Sequence, residues 1–385
     1  MSESAGRAAN RGGPGTGPAG GPADAAGPRR GIVTTADIAR ALNLSRTTVS
    51  RALNDHGLVN PRTKALVQEK ARAMGFLPNR AARSLRRNRT LRLGVVLFSE
   101  PRYFWDEVAA GIRRAHRELR DYGVHVELRS ADLRHPEQQI QLIESLRKDH
   151  VDGLALSPVD PVALLETVDS LTSDGIPVVT IGSDIPASRR VCHVGCDYVD
   201  SGRIAAQLMG NAIHGEGKVG IITFRDPVIP IQQRIIGFRQ AIAEHPHVEL
   251  EGPHKLSRTG EDAYEFVRGY VREQPELRGL FVSYGILETV ARAVRDEGMQ
   301  GRVHLVGFDL SREIAAMIRD RVVDAVICQE PFDQGYYTMK ILHQYLAEKT
   351  PPRQTIIHTR LEVVLRQNVH YFENETDYLS LLHDI

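Results

Sequence analysis

Residues 34–54 constrain the fold most, because their pattern is that of two short helices joined by a tight corner. Apolar residues recur at helical spacing on both sides of the corner, at Ile38, Ala39, Leu42, Val49, Ala52 and Leu53. Asn43 lies at the corner, where a residue that tolerates left-handed backbone is needed, and Ser45 has the composition of an N-cap. Burying the apolar residues leaves a polar face on the second helix, made of Ser45, Arg46, Thr47, Thr48, Ser50, Arg51 and Asn54. That face suits the major groove of DNA, and the alternative is a helical hairpin whose polar face meets only solvent.

The sequence after this pair predicts a third helix. Asn60-Pro61 supplies an N-cap followed by proline at the first helical position, and Gly75 is placed as the C-terminal stop. Residues 31–92 hold thirteen Lys and Arg against three Asp and Glu, a net charge of about +10. Three helices can bury a small core, and so basic a segment has the charge expected of a phosphate binder. The sequence therefore predicts an all-α helix-turn-helix DNA-binding domain over residues 31–78.

A longer pattern in this segment resembles that of a known family. Its parts are Asp37-Ile38-Ala39, Ser45-x-x-Thr48-Val49-Ser50-Arg51, Leu53-Asn54 and Gly75-Phe76-x-Pro78-Asn79-x-Ala81-Ala82-Arg83-Ser84-Leu85. The pattern resembles the lactose-repressor (LacI/GalR) family of bacterial transcription regulators. The resemblance implies that Arg46 and Thr47 contact operator bases and that Arg51 contacts a guanine edge. It further implies phosphate contacts by Ser45, Thr48, Ser50 and Asn54.

The same resemblance makes residues 79–92 a hinge helix and linker. In the family this helix folds on operator DNA, where a leucine from each of two subunits wedges into the minor groove, and Leu85 occupies that place here. The resemblance thus extends the predicted DNA contacts to Asn79, Arg80, Arg83 and Leu85. The residues themselves agree, because an apolar side chain among arginines suits a minor-groove wedge with phosphate anchors.

Composition separates the rest of the chain into a tail and a large body. Residues 1–30 are rich in Gly, Pro and Ala and lack the apolar core of a secretory signal, so we expect a disordered tail. Three cysteines cannot make a disulfide framework, and no apolar run is long enough to span a bilayer. We therefore expect a cytoplasmic, nucleoid-associated protein with no membrane partner. The formal net charge of +1 leaves roughly −11 for residues 93–385, so this body should stay away from the DNA.

The body alternates strands and helices along its whole length. The apolar run of residues 93–98 opens the alternation and is typical of a strand covered on both faces. The rhythm predicts parallel sheets, and the strand count suits two sheets better than one. The body resembles the α/β two-lobed periplasmic-binding-protein-like fold that forms the effector-binding and dimerisation domain of the same family. By that resemblance, lobe one covers about 93–213 and 330–352, lobe two about 214–329 and 353–385, and the chain crosses between them near residues 213, 330 and 352.

The resemblance also carries over residues of an effector-binding cleft between the lobes. Phe104 and Trp105 match an aromatic pair that stacks on a sugar ring, although an aromatic under the first helix of the body could equally be a core residue. Arg234 matches an arginine that donates to hydroxyl or carboxylate groups. Asp309 matches an aspartate that accepts from hydroxyls, and Gln329 a glutamine on the hinge side. Phe104, Trp105, Asp309 and Gln329 follow predicted strands, and the carboxyl ends of parallel strands are where such sheets bind ligands.

Four further residues lie at predicted strand ends. Ser157, Asp184 and Asp197 are candidate polar contacts, and the alternative for surface acids at loop tips is simple solvation. Tyr284 stands where the family typically shows an Asn-Asp pair. A phenol there narrows the cleft and removes an amide, so the ligand need not be one of the simple hexoses and pentoses common in the family.

These features predict a sequence-specific transcription regulator, a repressor, that binds double-stranded operator DNA as a homodimer. The operator is expected to be pseudo-palindromic, and the effector in the cleft to be a sugar or sugar derivative. A regulator that responds to a purine or a phosphosugar stays open as an alternative.

No catalytic residue, metal or cofactor is predicted, since the chain has no Walker loop, GxSxG or HExxH motif. A transport binding protein would share the fold of the body, but it would need an export signal and would have no use for the basic DNA-binding segment. The acidic stretch from Tyr371 to Ile385 is too short for the leucine heptads of the family's tetramers, which favours a dimer.

Overall fold

The computed structural model describes residues 33–54, 59–74, 90–131, 135–225, 228–256 and 260–373. Its internal contacts divide the chain into two compact units, the first ending at Arg80 and the second beginning at Ala81. The predicted tail and the predicted hinge helix lie outside the described residues.

The described part of the first unit is a bundle of three helices, α1 (Thr35–Leu42), α2 (Arg46–Asn54) and α3 (Pro61–Ala73). Asn43 adopts left-handed backbone at the corner between α1 and α2, with φ 51° and ψ 41°, as predicted. Caps begin the second and third helices: Ser45 Oγ accepts from the backbone N–H of Thr48, and Asn60 Oδ1 accepts from that of Arg62. The core of this bundle consists of Ile38, Ala39, Val49, Ala52, Val67 and Ala71.

The second unit is built on two six-stranded sheets with helices packed against them. Its strands are β1 (Leu91–Phe98), β2 (Val124–Ala131), β3 (Gly153–Leu156), β4 (Val178–Ile181), β5 (Cys192–Gly195), β6 (Glu216–Phe224), β7 (His247–Leu256), β8 (Leu277–Val282), β9 (His304–Phe308), β10 (Ala325–Cys328), β11 (Ile356–His358) and β12 (Glu362–Leu365). Its helices are α4 (Arg102–Leu119), α5 (Pro136–Lys148), α6 (Leu165–Ser173), α7 (Tyr198–Ala212), α8 (Ile229–Ile242), α9 (Gly260–Glu273), α10 (Leu287–Asp296), α11 (Arg312–Arg319), α12 (Pro331–Glu348) and α13 (Val369–Glu373).

The two sheets have matching strand orders. The first runs β11-β5-β4-β3-β1-β2 and the second β12-β10-β9-β8-β6-β7. Every neighbouring pair is parallel except β10 and β12, which are antiparallel. The prediction of two α/β lobes with parallel sheets is thus confirmed, and β12 is the exception to it. The sequence did not predict the short edge strands β11 and β12, which add one strand to each sheet.

The chain passes between the sheets at positions that differ in part from the predicted ones. It leaves the first sheet at residues 196–197, because α7 packs on the second sheet, where Met209 meets Ile221 and Phe281. It returns at residues 329–330, because Leu342 of α12 packs on the first sheet against Leu93. The last passage is at residues 359–361, between β11 and β12. The predicted crossings near 213 and 352 are therefore corrected to these positions, and α7 and β11 change lobes accordingly.

Each lobe contains one pair of helices that cross at glycines. In the first lobe, a Cβ on Gly111 of α4 would lie 1.9 Å from the Phe332 carbonyl oxygen, and one on Gly335 of α12 would lie 2.0 Å from that of Val108. In the second lobe, a Cβ on Gly202 of α7 would lie 2.0 Å from the Arg234 carbonyl oxygen, and one on Gly237 of α8 would lie 1.9 Å from that of Val199. Any side chain at these four positions would collide with backbone, so the helices touch directly.

Candidate functional site

The outer face of α2 is the candidate nucleic-acid surface. Arg46, Thr47 and Arg51 are exposed, whereas Val49 and Ala52 of the same helix are buried in the three-helix core. Thr48 and Ser50 are half-buried at the edge of that face. The exposed residues are therefore placed as the sequence predicted, on a short helix whose other side holds it against α1 and α3.

Ser45 has a structural task in addition to its predicted phosphate contact. Its hydroxyl caps α2 and lies 2.8 Å from Thr48 Oγ1. Asn54 is the last residue of α2, and its side chain lies outside the described part of the protein. Four other predicted DNA contacts also lie outside the described residues and stay predictions: Asn79, Arg80, Arg83 and Leu85.

In the second unit, Arg234 of α8 is the centre of the candidate ligand site. Its side chain is 6% exposed, and its guanidinium carbon lies 3.7 Å from the ring centroid of Phe308. One terminal nitrogen donates to the Ser283 carbonyl oxygen at 2.9 Å. Its Nε is buried and has no hydrogen-bond partner among the described residues. A buried donor of this kind is rare in proteins, which makes this N–H a candidate donor to a ligand atom.

Asp309 and Gln329 stand beside this guanidinium, at the ends of β9 and β10. Gln329 Nε2 donates to Asp309 Oδ1 at 2.6 Å. Burial raises the pKa of Asp309, while the Arg234 charge and the Gln329 hydrogen bond work in the opposite direction. Asp309 has a φ of 63°, left-handed backbone that costs a residue other than glycine on the order of 1 kcal/mol. Such strain is typical of functional sites, and it turns the carboxylate away from the line of the strand.

Trp105 of α4 connects the first lobe to the same region. Its ring packs between Phe98 and Phe104, at centroid distances of 5.2 and 4.9 Å. The edge of the Trp105 ring also faces Gly182, since a Cβ built on Gly182 would lie 3.6 Å from it. Gly182 has a φ of 68°, a backbone conformation that favours glycine. Phe104 is 8% exposed and belongs to the core of the first lobe, which agrees with the alternative prediction that Phe104 is a core residue. Trp105 is half-buried and is the aromatic available to a ligand.

Three residues of the site went unpredicted: Cys196 lies in the first inter-lobe crossing, Tyr198 follows that crossing, and Gln334 lies near the start of α12 after the second crossing. Tyr198 begins α7, and its hydroxyl donates to the Gly182 carbonyl oxygen at 2.9 Å, while its ring centroid lies 5.5 Å from the Arg234 guanidinium. Gln334 of α12 is fully buried, and its Oε1 has no hydrogen-bond partner among the described residues. Cys196 Sγ donates to Gln329 Oε1 at 3.5 Å. The available signal for Cys196 and Tyr198 was their place directly after β5, at a carboxyl strand end, whereas Gln334 inside α12 had no such signal.

Burial keeps the hydroxyl and thiol of this region protonated. It raises the pKa of Cys196 to about 12 and lifts that of Tyr198 well above its ordinary value. Asp197, between them, points elsewhere: its carboxylate caps α7 by accepting from the backbone N–H of Asp200 at 2.9 Å. The predicted role of Asp197 as a ligand contact therefore gives way to helix capping.

Asp184 has its hydrogen-bonding capacity filled within the first lobe. Both of its oxygens accept from the Arg190 guanidinium, and Oδ1 also accepts from Thr180 Oγ1. Burial works to raise the pKa of Asp184, but these donors and the nearby His193 outweigh it, so the pKa is lowered. Asp184 thus anchors the loop between β4 and β5, which corrects its prediction as an effector contact.

Two further candidates are also tied to the interior. Ser157 is 1% exposed, and its carbonyl oxygen accepts from Gln139 Nε2 at 2.7 Å. Tyr284 is 6% exposed and its ring lies 5.4 Å from that of Phe224, in the core of the second lobe. The expected narrowing of the cleft by the Tyr284 phenol is therefore corrected: the ring supports the lobe from inside.

The arrangement as a whole suits a small polyol. An indole offers an apolar face, and a guanidinium, a carboxylate and a carboxamide offer donors and acceptors at fixed positions. Among the described residues, no group of three or more His, Cys, Asp or Glu is arranged to hold a metal ion. No helix in that part of the chain has the length and apolar character needed to cross a bilayer.

Comparisons with known proteins agree with both units. Residues 34–79 match the sequence family described as bacterial regulatory proteins, lacI family, and residues 93–350 match the periplasmic binding protein domain. Over 326 residues the chain is 25% identical to catabolite control protein A of Priestia megaterium, covering 83% of this chain and 94% of that protein. Over 237 residues it is 27% identical to a D-ribose/D-allose-binding protein of Pseudomonas aeruginosa, covering 59% of this chain and 73% of that one.

A solved structure shares the fold of the second unit. It is a solute-binding protein of an ABC transporter from Burkholderia graminis, crystallised with D-arabinose. The two chains are 25% identical, with a TM-score of 0.67, over 72% of this chain and 96% of the other.

Proposed function

Because this chain belongs to the lacI family of bacterial regulatory proteins and carries a periplasmic binding protein domain, we propose that it is a repressor gated by a monosaccharide. Two copies present their α2 helices to the half-sites of a pseudo-palindromic operator, roughly one helical turn of DNA apart. Contacts from Arg46, Thr47 and Arg51 to base edges supply specificity. Lysine and arginine contacts to phosphates supply much of the affinity, so binding weakens steeply with salt.

The observation that carries the ligand assignment is the buried Arg234 Nε, which has no partner among the described residues. A sugar hydroxyl can accept from that N–H and donate to Asp309, since a hydroxyl is both donor and acceptor. Gln334 Oε1 is a second buried atom without a partner in that part of the chain, and it accepts from a hydroxyl in the same way. The Trp105 ring supplies an apolar surface for the C–H face of the sugar.

The charges favour a neutral sugar over a phosphosugar. The Arg234 charge works against the rise that burial causes in the pKa of Asp309, so the site holds an acidic group within reach of the guanidinium charge. A phosphate beside Asp309 would meet a carboxylate as well as the guanidinium, and the repulsion would weaken its binding. The names of two related proteins, which refer to D-ribose, D-allose and D-arabinose, support the same class.

In this proposal the ligand acts by shifting the population of lobe arrangements. Trp105 belongs to the first lobe and Arg234 to the second, so one sugar that contacts both stabilises the closed form. The effect on DNA is limited by the difference in sugar affinity between the two forms. The protein is expected to act in the cytoplasm, where its operator and the imported sugar meet.

A thermal-shift panel on the full chain tests the ligand class. The panel contains D-ribose, D-allose, D-arabinose, ribose 5-phosphate and adenine, each at several concentrations. A neutral sugar at one hundred times its Kd should stabilise the protein by about 2.7 kcal/mol. Stabilisation by ribose 5-phosphate or adenine alone would contradict the assignment.

Fluorescence anisotropy then tests the regulatory half of the proposal. The full chain first selects duplexes from a random pool, and the affinity for a labelled selected duplex is then measured by anisotropy with and without the sugar that gave the largest shift. Selected duplexes should show two-fold symmetry, and the sugar should change their affinity. Binding with no preference over random competitor at moderate ionic strength would refute the proposal.

A further inference from the structure

The carboxamide of Gln329 lies between two partners at the base of the ligand site. The side chain is 2% exposed, its Nε2 donates to Asp309 Oδ1 at 2.6 Å, and its Oε1 accepts from Cys196 Sγ at 3.5 Å. The two ends of a carboxamide have nearly the same shape but opposite hydrogen-bonding character. Only one of its two orientations gives Asp309 a donor, and the partners decide which orientation is stable.

Cys196 is suited to make that choice. Its thiol is 4% exposed and stays protonated, since burial raises its pKa to about 12, so it offers S–H as a donor. A flipped carboxamide would turn its NH2 toward the S–H and its oxygen toward Asp309. A donor–donor contact and an acceptor–acceptor contact would then replace the two hydrogen bonds. Leaving buried polar groups without a hydrogen-bond partner costs free energy of folding.

The backbone of Gln329 is fixed independently of this contact. Its carbonyl oxygen accepts from Thr359 Oγ1 and from Gln334 Nε2, both at 2.9 Å. The main chain of Gln329 therefore has two hydrogen bonds that do not involve the thiol, although the thiol also interacts with the Tyr198 hydroxyl. The contact also joins two crossings, because Cys196 lies in the first and Gln329 in the second.

We propose that Cys196 is a positioning residue of the sugar site, whose S–H holds the Gln329 carboxamide so that Nε2 faces Asp309. Asp309 Oδ1 thereby accepts from Nε2, and the carboxylate keeps lone pairs that can accept from a sugar hydroxyl. This inference rests on the proposed function of the same site. It assigns to a thiol that touches no sugar a share in setting sugar affinity.

The test compares three cysteine variants by calorimetric titration of the full chain. The probe is whichever of D-ribose, D-allose and D-arabinose stabilises the wild type. C196A removes the donor, C196S keeps a donor of similar size, and C192A is the control. Cys192 is also fully buried, but its thiol donates to the Gln354 carbonyl oxygen. C196A should weaken sugar binding about tenfold, the effect of one lost hydrogen bond, whereas C196S and C192A should stay within about twofold.

The pH profile separates positioning from packing. The hydrogen bond from Gln329 helps to lower the pKa of Asp309, so this pKa should rise in C196A. As the pH is lowered, the sugar affinity of C196A should therefore begin to fall at a higher pH than that of the wild type. C196S and C192A should keep the wild-type profile. Wild-type affinity and profile in C196A, or equal losses in C196A and C196S, would overturn the inference alone. Failure of the wild type to bind any of the three sugars would instead overturn the proposed function.

Discussion

Replacement of Arg234 by methionine is the most direct perturbation of the proposed sugar site. Methionine keeps the length of the side chain and can pack on the Phe308 ring, which lies 3.7 Å from the guanidinium carbon. The change removes the charge, the hydrogen bond to the Ser283 carbonyl and the unpartnered Nε–H. The variant therefore deletes the donor that the proposal gives to a sugar hydroxyl, with little change in shape.

The expected magnitude follows from the contacts. A hydrogen bond from a charged donor contributes about 1.5–3 kcal/mol, so loss of the Nε contact should raise the sugar Kd roughly 10- to 150-fold. Folding should be affected less. The Ser283 carbonyl loses its partner at a cost of about 1–3 kcal/mol, but the variant also removes a desolvated charge, which offsets part of that cost.

Calorimetric titration with the sugar that stabilises the wild type measures this effect. R239M is the matched control, because Arg239 lies on the same helix, is exposed, and donates to the Gly252 carbonyl oxygen on the surface. Operator affinity in the absence of sugar should be unchanged in both variants, since neither residue belongs to the head. A wild-type Kd in R234M, or an equal loss in R239M, would refute the role given to Arg234.

Three further predictions concern the head, the hinge and acid stability. R51A should lower operator affinity by about 1–3 kcal/mol and relax the preference at one base pair, whereas R40A, on α1, should change that preference little; binding to a set of operator variants checks both. L85A should weaken operator binding and spare sugar binding, and equal operator affinity in the two proteins would reject the wedge. His193 is 6% exposed, and burial lowers its pKa to about 4 from the ordinary 6.5. Between pH 6.5 and pH 4 the unfolded chain therefore binds a proton at this residue that the folded protein does not. The free energy of unfolding should fall by up to about 3 kcal/mol as the pH drops through this range. H193Q should flatten this fall in urea unfolding series at pH 7, 6, 5 and 4, and an unchanged slope would contradict the assignment.

Local patterns were sufficient to predict the head. The left-handed Asn43, the Ser45 cap and the Asn60-Pro61 start each depend on residues within a few positions, and the structure has all three. The apolar run of β1 was likewise visible, because burial on both faces leaves a local signature. These features follow from near-neighbour chemistry, which a sequence displays directly.

The parts that could not be predicted depend on contacts between distant residues. Cys196 and Gln329 are 133 positions apart, and nothing near either one indicates the other. Asp184 looked like a free acid at a strand end because its partner Arg190 reaches it only through the fold of the loop. The amphipathic pattern of α7 shows that it packs on a sheet but not on which, so the first crossing was placed too late. The strands β11 and β12, with three and four residues, are too short to carry a pattern of their own.

The glycine crossings within each lobe determine where this protein can bend. With carbonyl oxygens seated where Cβ atoms would be, α4 cannot slide along α12, nor α7 along α8, without breaking backbone contact. Each lobe is therefore expected to move as a rigid unit. Bending is expected in the seven residues of the three crossings between the lobes, 196–197, 329–330 and 359–361. If a sugar closes the two lobes as proposed, the backbone is expected to bend at these residues and not inside either lobe.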